Sequence, residues 1–175
     1  MTLTDADVER WSRQILLPEV GGRGQERLCA ARVAVRGAGP ATDLATTLLQ
    51  RAGVGVVAGD LSADVTLALD DAGDAPPAGI VVRGRRRGAR VEVTTLVGRP
   101  CAACATASGD ATSGAGSLAA PADVVLGALA AGEALRALLV PSATGRVHSI
   151  DLATGAAGGA VLAPTAGCPR CADRS

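Results

Sequence analysis

The chain has 175 residues and a formal net charge of zero, and 48% of its residues are hydrophobic while only 1% are aromatic. This length suits one domain, and the charge balance argues against general nucleic-acid binding. No apolar run reaches the roughly 18 residues that span a bilayer, and the acidic N-terminus has no apolar signal-peptide segment. We therefore expect a cytoplasmic protein that binds neither nucleic acid nor membrane.

Two helices are predicted at the N-terminus, within residues 1–31. Apolar residues at helical spacing favour one helix over residues 4–16, with Thr4 as its cap, and a shorter one over 25–31. Trp11 is the only aromatic residue, so the core must be packed from alanine, valine and leucine. Because small side chains bury little area, at about 25 cal/mol per Å², we expect modest stability.

An alternation of strands and helices follows. The predicted strands cover residues 32–36, 54–57, 64–69, 80–82 and 90–97, and a helix over 41–52 joins the first two strands. This order is typical of an α/β, Rossmann-like fold with a mainly parallel sheet and flanking helices. Residues 32–100 are therefore interpreted as a reduced nucleotide-binding-type sheet.

The last part of the chain, residues 101–175, combines a loop, a helix and two strands. Residues 105–120 are rich in glycine, alanine and serine, which indicates a crossover loop. A long helix is predicted over 122–139, and two strands near 146–152 and 159–163 look antiparallel. No internal repeat is visible, so we expect the whole chain to form a single domain.

Four of the five cysteines form two CxxC pairs, Cys101 with Cys104 and Cys168 with Cys171. Each pair can grip one ion from a tight turn, and two pairs complete a closed tetrahedral zinc site with Zn–S bonds of about 2.3 Å. A closed site leaves no position for a catalytic water, so the zinc would be structural and would hold the C-terminal tail to the strand that ends near Arg99. Disulfides or a redox CxxC motif are the alternatives.

The other reactive residue types have simpler interpretations. Cys29 lies between Leu28 and Ala30 on a predicted helix and is expected to be a buried core thiol, with a reactive thiol as the alternative. His148 is the only histidine, and no cysteine or acid beside it suggests a catalytic triad, so we expect a surface or core residue. The arginine-rich run Arg83–Arg90 is either a solvated strand edge or a patch for an anion or a partner.

A glycine turn lies between the first predicted strand and its helix. Gly37 and Gly39 stand where backbone N–H groups and a helix N-terminus hold phosphate in dinucleotide sites. Thr42 replaces the third glycine of GxGxxG, and Pro40 removes one N–H donor. Asp60 lies about twenty residues further on, where an acid often binds ribose hydroxyls. A nucleotide site and a plain strand–helix turn both fit this pattern.

These segments together resemble one known family. Residues 11–39, WSRQILLPEVGGRGQERLCAARVAVRGAG, are similar to the opening of ThiF, MoeB and HesA proteins. The later blocks that resemble the family, in its order, are QRAGVGVV (50–57), ADVTLALDD (63–71), GIVVRGRRRGARVEV (79–93), RPCAAC (99–104), PADVVLGALAAGEALRALL (121–139) and CPRC (168–171). The blocks span most of the chain, and the opening block and the paired zinc knuckles are the specific ones.

The resemblance implies an adenylyltransferase related to ubiquitin-activating enzymes. Members of the family bind MgATP and adenylate the C-terminal Gly-Gly of a small ubiquitin-like sulfur-carrier protein, usually as homodimers. By position, Arg13 would reach across the dimer to the triphosphate, and Gly37 and Gly39 would line the nucleotide. Asp60 would approach the ribose, and Asp71 would help to hold magnesium.

The chain also departs from the family pattern. Between its second strand and the strand that matches ADVTLALDD, the family carries an SNLxRQ-like stretch and a lysine that contact the phosphates. Here Ala63 lies only three positions after Asp60, so this segment is absent, and the chain has no lysine. Some members place a cysteine for sulfur transfer in the crossover loop, where Thr112 stands here. Because the charge of MgATP must be neutralised in the transition state, the loss of each positioned cation costs roughly 10²-fold or more in rate.

Two functions fit a family member with these losses. The first is an accessory or regulatory pseudoenzyme that binds a sulfur carrier or a full-length paralogue. The second is a minimal adenylyltransferase that uses Arg13, Asp71 and the glycine turn. A nicotinamide or flavin oxidoreductase is disfavoured, because the glycine fingerprint is incomplete and no acid–base pair is visible. We expect structural zinc in both cases, MgATP only in the second, and a homodimer.

Overall fold

The computed structural model describes residues 2–58, 62–70, 79–98, 117–140 and 145–163, together with Cys168. Its N-terminal helices are α1 (Asp5–Arg10), α2 (Ser12–Ile15) and α3 (Gly21–Ala30). Thr4 caps α1 as predicted, because its Oγ1 accepts from Asp7 N at 3.3 Å and its N–H donates to Asp7 Oδ2 at 3.0 Å. The single helix predicted over 4–16 is wrong, since Trp11 separates α1 from α2.

The sheet of the described residues has seven strands. They are β1 (Arg32–Arg36), β2 (Gly55–Ala58), β3 (Val65–Leu69), β4 (Ile80–Arg87), β5 (Arg90–Val97), β6 (Gly145–Asp151) and β7 (Ala156–Leu162). Their order is β2-β1-β3-β4-β5-β6-β7; the first four are parallel, and β4 to β7 pair antiparallel. The α/β class and the antiparallel last strands are confirmed, but the sheet is mixed rather than mainly parallel.

The β4–β5 hairpin makes the sheet mixed. β4 continues to Arg87, beyond its predicted end at Val82, because β5 pairs with it as far as Arg87↔Arg90. Only Gly88 and Ala89 remain for the turn, and Gly88 has φ +64°, which suits the tight turns that join antiparallel strands. Charged residues are weak indicators of a strand, so the arginines after Val82 did not indicate that β4 continues.

Two helices, α4 (Pro40–Arg51) and α5 (Ala119–Leu139), pack together over one face of the sheet. At their crossing a Cβ on Gly127 would lie 2.5 Å from the carbonyl oxygen of Ala41, so the two backbones are in direct contact. The core that the described residues form is aliphatic, as the composition predicts; its largest fully buried apolar side chains include Leu28, Leu49, Leu67, Leu69 and Leu126. No described helix is long and apolar enough to cross a lipid bilayer.

The far part of α5 covers the antiparallel strands. Val93 and Thr95 of β5 lie on the face of the sheet that α5 covers. The β5–β6 register pairs Val93 with His148 and Thr95 with Arg146, and residues that pair directly point to the same face. The fold therefore brings polar side chains from two strands beneath one helix.

Candidate functional site

The glycine turn that the sequence predicts joins β1 to α4. Gly37 has φ +116° and Gly39 has φ +100°, values that favour glycine over any residue with a side chain. A Cβ on Gly37 would lie 2.6 Å from the carbonyl oxygen of Leu69, whereas the space around Gly39 is open. Gly37 is thus required by the contact between the turn and the end of β3, and Gly39 leaves room beside the turn.

The first turn of α4 begins at this open side, because Gly39 is the N-cap residue. Free N–H groups and the helix dipole attract anions at such a position. Here Pro40 contributes no N–H, and Asp43 adds a negative charge to the first turn. Thr42 is buried beneath the turn, and its Oγ1 has no hydrogen-bond partner among the described residues. The turn therefore has the shape of an anion site, but Pro40 removes one N–H donor and the charge of Asp43 would repel an anion.

Arg86, in the middle of the arginine-rich run, joins three elements. Its backbone N–H donates to Asp70 Oδ1 at 3.1 Å, and its guanidinium lies 2.6 Å from Asp123 Oδ1 on α5. Asp70 closes the end of β3 against β4, since its N–H donates to the carbonyl oxygen of Gly84 at 2.8 Å. These contacts give Arg86 a structural role instead of a place in an open anion-binding patch.

Arg13 lies near the end of α4 that is opposite to the glycine turn. It is exposed on α2, two residues after Trp11, whose indole Nε1 donates to the carbonyl oxygen of Arg51 at 3.1 Å. Arg51 is the last residue of α4, and a helix of 12 residues is about 18 Å long. The structure therefore does not bring Arg13 to the two glycines of the same chain.

Several predicted site residues lie outside the described residues, namely Asp60, Asp71, Cys101, Cys104 and Cys171. Cys168 is described, and it is buried, with 6% of its surface exposed. Within the described ranges, no group of three histidine, cysteine or acidic residues is placed to hold a metal ion. The zinc site and the ribose and magnesium positions stay predictions.

A polar cluster that the sequence analysis missed lies between α5, β5 and β6. Its centre is Glu133 of α5, which is only 6% exposed. Glu133 Oε2 accepts hydrogen bonds from Thr95 Oγ1 at 2.7 Å and from Arg136 Nη2 at 2.9 Å. Glu133 Oε1 accepts from Arg136 Nε at 3.1 Å and lies 3.4 Å from His148 Nε2 and 4.0 Å from Arg146 Nη1. We call these five residues the Glu133 cluster.

The cluster favours the ionised form of Glu133. Burial on its own raises the pKa of a carboxyl group, because it disfavours the charged form. Hydrogen bonds from Arg136 and Thr95 outweigh burial here, with further help from the positive charge of Arg136 and from His148, so the pKa of Glu133 lies below its ordinary value. Since the partners of Glu133 come from the helix and from both strands beneath it, we interpret the cluster as a clamp that joins α5 to β5 and β6.

The sequence contains a signal for this cluster. Glu133 is the only acid in the second half of α5, where most of its neighbours are apolar, and Arg136 follows at i+3. A buried acid requires such a partner. His148 is half-buried and does have an acid beside it, but that acid comes from a distant part of the chain. Cys29, expected to be buried, is half-buried and accepts a hydrogen bond from Gln25 Nε2 at 3.5 Å.

Sequence comparison gives partial matches to characterised proteins. Over 55 residues, or 31% of this chain, the sequence is 46% identical to the adenylyltransferase and sulfurtransferase uba4 of Pyricularia oryzae. Over 68 residues, or 37% of this chain, it is 43% identical to the heterocyst protein HesA of Trichormus variabilis. The matches cover only 11% and 26% of those two relatives. No family model matches the chain.

Solved structures share the fold over nearly the whole chain. MccB of E. coli, in a structure with MccA, matches with a TM-score of 0.66 and 12% identity over 93% of this chain and 74% of MccB. PaaA matches with a TM-score of 0.67 and 13% identity over 92% of this chain and 75% of PaaA. At such low identity the likeness establishes the fold alone.

Proposed function

Because this chain is a ThiF/MoeB-like protein, we propose that it is an accessory or regulatory subunit in which adenylation is lost or weakened. Its partner would be a small ubiquitin-like sulfur-carrier protein or a full-length paralogue, and its location the cytoplasm. The sequence matches span about a tenth and about a quarter of the curated relatives, so the activity and the partner of this chain are both part of the proposal.

The connection between β2 and β3 carries the proposal. β2 ends at Ala58 and β3 begins at Val65, and both strands pair with β1. By the resemblance, the family carries an SNLxRQ-like stretch and a phosphate-contacting lysine between these two strands. Here only residues 59–64 connect them. Catalysis on MgATP needs fixed cations that neutralise the developing charge, and this chain contains no lysine at any position.

Two described arginines are already engaged with carboxylates. Arg86 is paired with Asp123, and Arg136 is paired with Glu133. Moving either guanidinium to a triphosphate would leave a largely buried carboxylate without its partner, which is strongly unfavourable. These two guanidinium groups are therefore not free to bind a nucleotide, and since the chain also has no lysine, we expect weak binding.

A structural zinc ion is part of the proposal. Cys101, Cys104, Cys168 and Cys171 would hold it, and the burial of Cys168 suits a ligand of a closed site that excludes water. The bound ion would supply a cross-link between distant parts of the chain and no catalytic step. We expect about one zinc per chain in the purified protein; a content far below that would contradict the site.

Cysteine variants test the zinc site independently of any activity. Because structural zinc binding is coupled to folding, Cys101→Ala and Cys168→Ala should lower the zinc content and the melting temperature together. Cys29→Ala is the matched control, since Cys29 belongs to neither CxxC pair. If all three variants lose stability equally with their zinc content unchanged, the cysteine pairs do not bind the metal.

Calorimetric titration of the zinc-loaded protein with MgATP tests the loss of adenylation. We expect weak or undetectable binding, together with no carrier-dependent exchange of pyrophosphate into ATP. Tight binding that is lost in Asp71→Asn, accompanied by exchange with any of several sulfur carriers, would overturn the accessory role. Binding of a carrier or paralogue without exchange is the result that the proposal requires.

A minimal adenylyltransferase is the second candidate, and the glycine turn favours it. Gly37 and Gly39 retain the left-handed backbone and the open space that a nucleotide would need. In such an enzyme Arg13 would have to act on the turn of another chain, because it lies by the far end of its own α4. Arg13→Ala should then abolish pyrophosphate exchange while leaving the melting temperature unchanged.

A further inference from the structure

A buried amide group with an unpartnered oxygen touches Cys29 on α3. The amide belongs to Gln25, which precedes Cys29 by one helical turn and is 0% exposed. Its Nε2 donates to the carbonyl oxygen of Ala52 at 2.9 Å and to Cys29 Sγ at 3.5 Å. Its Oε1 is also buried but has no hydrogen-bond partner among the described residues. Because a buried acceptor without a donor is costly, this atom requires an explanation.

The orientation of this amide group is fixed by its contacts. Exchanging its nitrogen and oxygen would place Oε1 against the carbonyl oxygen of Ala52, and neither of those atoms can donate. Trp11 and Gly53 enclose the same place, because a Cβ on Gly53 would lie 2.9 Å from Trp11 Cζ2 and 3.0 Å from both Cys29 Sγ and Gln25 Nε2. The group that would satisfy Gln25 Oε1 is therefore a small hydrogen-bond donor beside the sulfur.

Cys29 can acquire such a donor by oxidation. Its side chain is half-buried, so a small reagent can reach it, and it belongs to neither CxxC pair. Oxidation of a thiol to a sulfenic acid adds one hydroxyl group to the sulfur, and a hydroxyl group donates one hydrogen bond. On Cys29 this hydroxyl would lie beside the amide whose nitrogen already contacts the sulfur, within the surroundings of the unpartnered oxygen.

We propose that Cys29 is a site of reversible oxidation by peroxide and that Gln25 holds the resulting sulfenic acid. The Cys29 thiolate attacks one oxygen of hydrogen peroxide. The S–O bond forms as the O–O bond breaks, sulfur gives up two electrons, and the departing hydroxide takes up the proton released by the thiol to become water. The new hydroxyl group then donates to Gln25 Oε1. This chemistry needs neither the glycine turn nor the cysteine pairs, so it goes beyond the proposed function and either can fail without the other.

Trapping with dimedone, which reacts with sulfenic acids, tests the proposal on the zinc-loaded chain after treatment with hydrogen peroxide. Peptide mass spectrometry should find the adduct on Cys29, and a thiol reductant added before dimedone should prevent it. The fluorescence of Trp11, the only tryptophan, should change on oxidation and recover on reduction, because its ring and Cys29 Sγ lie beside the same glycine. Cys29→Ser should show neither the adduct nor the change in fluorescence.

Gln25→Met separates the role of the amide from that of the thiol. Methionine keeps the length of the side chain but offers no amide, so the lifetime of the sulfenic acid should fall about fivefold, the equivalent of one hydrogen bond. Trp11→Phe is the matched control, since it removes a different hydrogen bond to the end of α4 and keeps Gln25. Its sulfenic acid should persist as in the wild type, and circular dichroism checks that every variant is folded.

Three results would contradict this assignment. Absence of the adduct from Cys29, or its confinement to the two CxxC pairs, would show that Cys29 is not the sensitive thiol. Direct passage of Cys29 to the sulfinic acid, with no sulfenic acid that dimedone traps, would show that the product is not held. An unchanged lifetime in Gln25→Met, or an equal loss in Trp11→Phe, would show that the amide of Gln25 has no specific role.

Discussion

The two halves of the sheet differ in what fixes their structure. In the parallel half, the contact that shapes the candidate nucleotide turn is one of backbone packing, between Gly37 and the carbonyl group of Leu69. In the antiparallel half, charged groups fix the structure, because Glu133 binds side chains of α5, β5 and β6. A backbone contact shapes the turn of the first half, and a buried carboxylate joins three elements of the second.

Under the proposed function, the glycine turn keeps its form although the chain lacks the lysine that contacts phosphate in the family. The shape of the turn depends on Gly37, which packs against the end of β3, and a change there would disturb the fold. By the resemblance, the missing lysine would belong to the short connection between β2 and β3, outside this packing contact. A Rossmann-like turn such as Gly37–Gly39 is therefore weaker evidence of nucleotide chemistry than the charged side chains around it.

Substitution of Gly37 should have the largest effect. In Gly37→Ala the new Cβ would strain a backbone with φ +116° and collide with the carbonyl oxygen of Leu69, so we expect a loss of about 3 kcal/mol or more in the free energy of unfolding. Urea denaturation measures this loss. Gly39→Ala, where the space is open, should cost about 2 kcal/mol from backbone strain. If the two losses are equal, the packing contact with β3 contributes nothing.

Glu133→Gln should have the next largest effect on stability, and it tests the Glu133 cluster in the antiparallel half of the sheet. The amide keeps the volume but leaves Arg136, Arg146 and His148 without a carboxylate. Because those partners are partly exposed, we expect about 2 kcal/mol, below the range for a fully buried pair. Glu92→Gln, on the opposite face of β5, should change stability by less than about 0.5 kcal/mol. A comparable loss at both positions would show that the cluster has no special role.

The same variant gives a prediction for pH dependence. The pKa of Glu133 is lowered from its ordinary value of 4.5 in the folded protein, so folding favours the ionised form. The resulting contribution is fully present above the unfolded-state pKa and is lost as the pH falls through the lower folded-state pKa. The stability difference between the wild type and Glu133→Gln should therefore shrink in acid. A difference that stays constant through this acid range would contradict the lowered pKa.

Thr95→Val should have a smaller effect. It removes one hydrogen bond to a charged acceptor, Thr95 Oγ1 to Glu133 Oε2 at 2.7 Å, and we expect a loss of about 1 to 2 kcal/mol. The pKa of Glu133 should also rise toward its ordinary value, which carboxyl-resolved NMR titration can follow. In the Glu133→Gln background the same substitution should cost less. If the two costs are equal, the hydroxyl acts independently of the carboxylate.

Local patterns predicted much of the fold. Helical spacing and the capping residue Thr4 located α1, and alternation located β5. The capping residue did not reveal the break at Trp11, because both flanking segments favour helix. The length of β4 was missed for a different reason, since the arginines up to Arg87 form a strand only because β5 pairs with them. Long-range pairing is not encoded in a local window.

The candidate site was predictable only in part. Glycines at a strand–helix junction have a local signature, and the turn at Gly37 and Gly39 lies where the pattern places it. The Glu133 cluster joins residues that are far apart in the sequence, such as Thr95 and Glu133, so no spacing rule could find it. The single acid in the largely apolar second half of α5 indicated that partners must exist, without identifying them.

Substitution of Trp11 should have the smallest effect on stability, and it tests how the N-terminal helices attach to the parallel half of the sheet. Trp11→Phe removes the hydrogen bond from the indole Nε1 to the carbonyl oxygen of Arg51 but keeps an aromatic ring, so we expect a loss of about 0.5 to 1 kcal/mol. Circular dichroism is the measurement, because the only tryptophan is removed. Arg10→Gln, which keeps the hydrogen bond but loses the guanidinium 5.3 Å from the indole ring, should cost about 0.5 kcal/mol. A larger loss of stability for Arg10→Gln than for Trp11→Phe would mean that the charge of Arg10, and not the hydrogen bond to the backbone, holds these helices. Charged contacts would then stabilise the N-terminus as they do the Glu133 cluster.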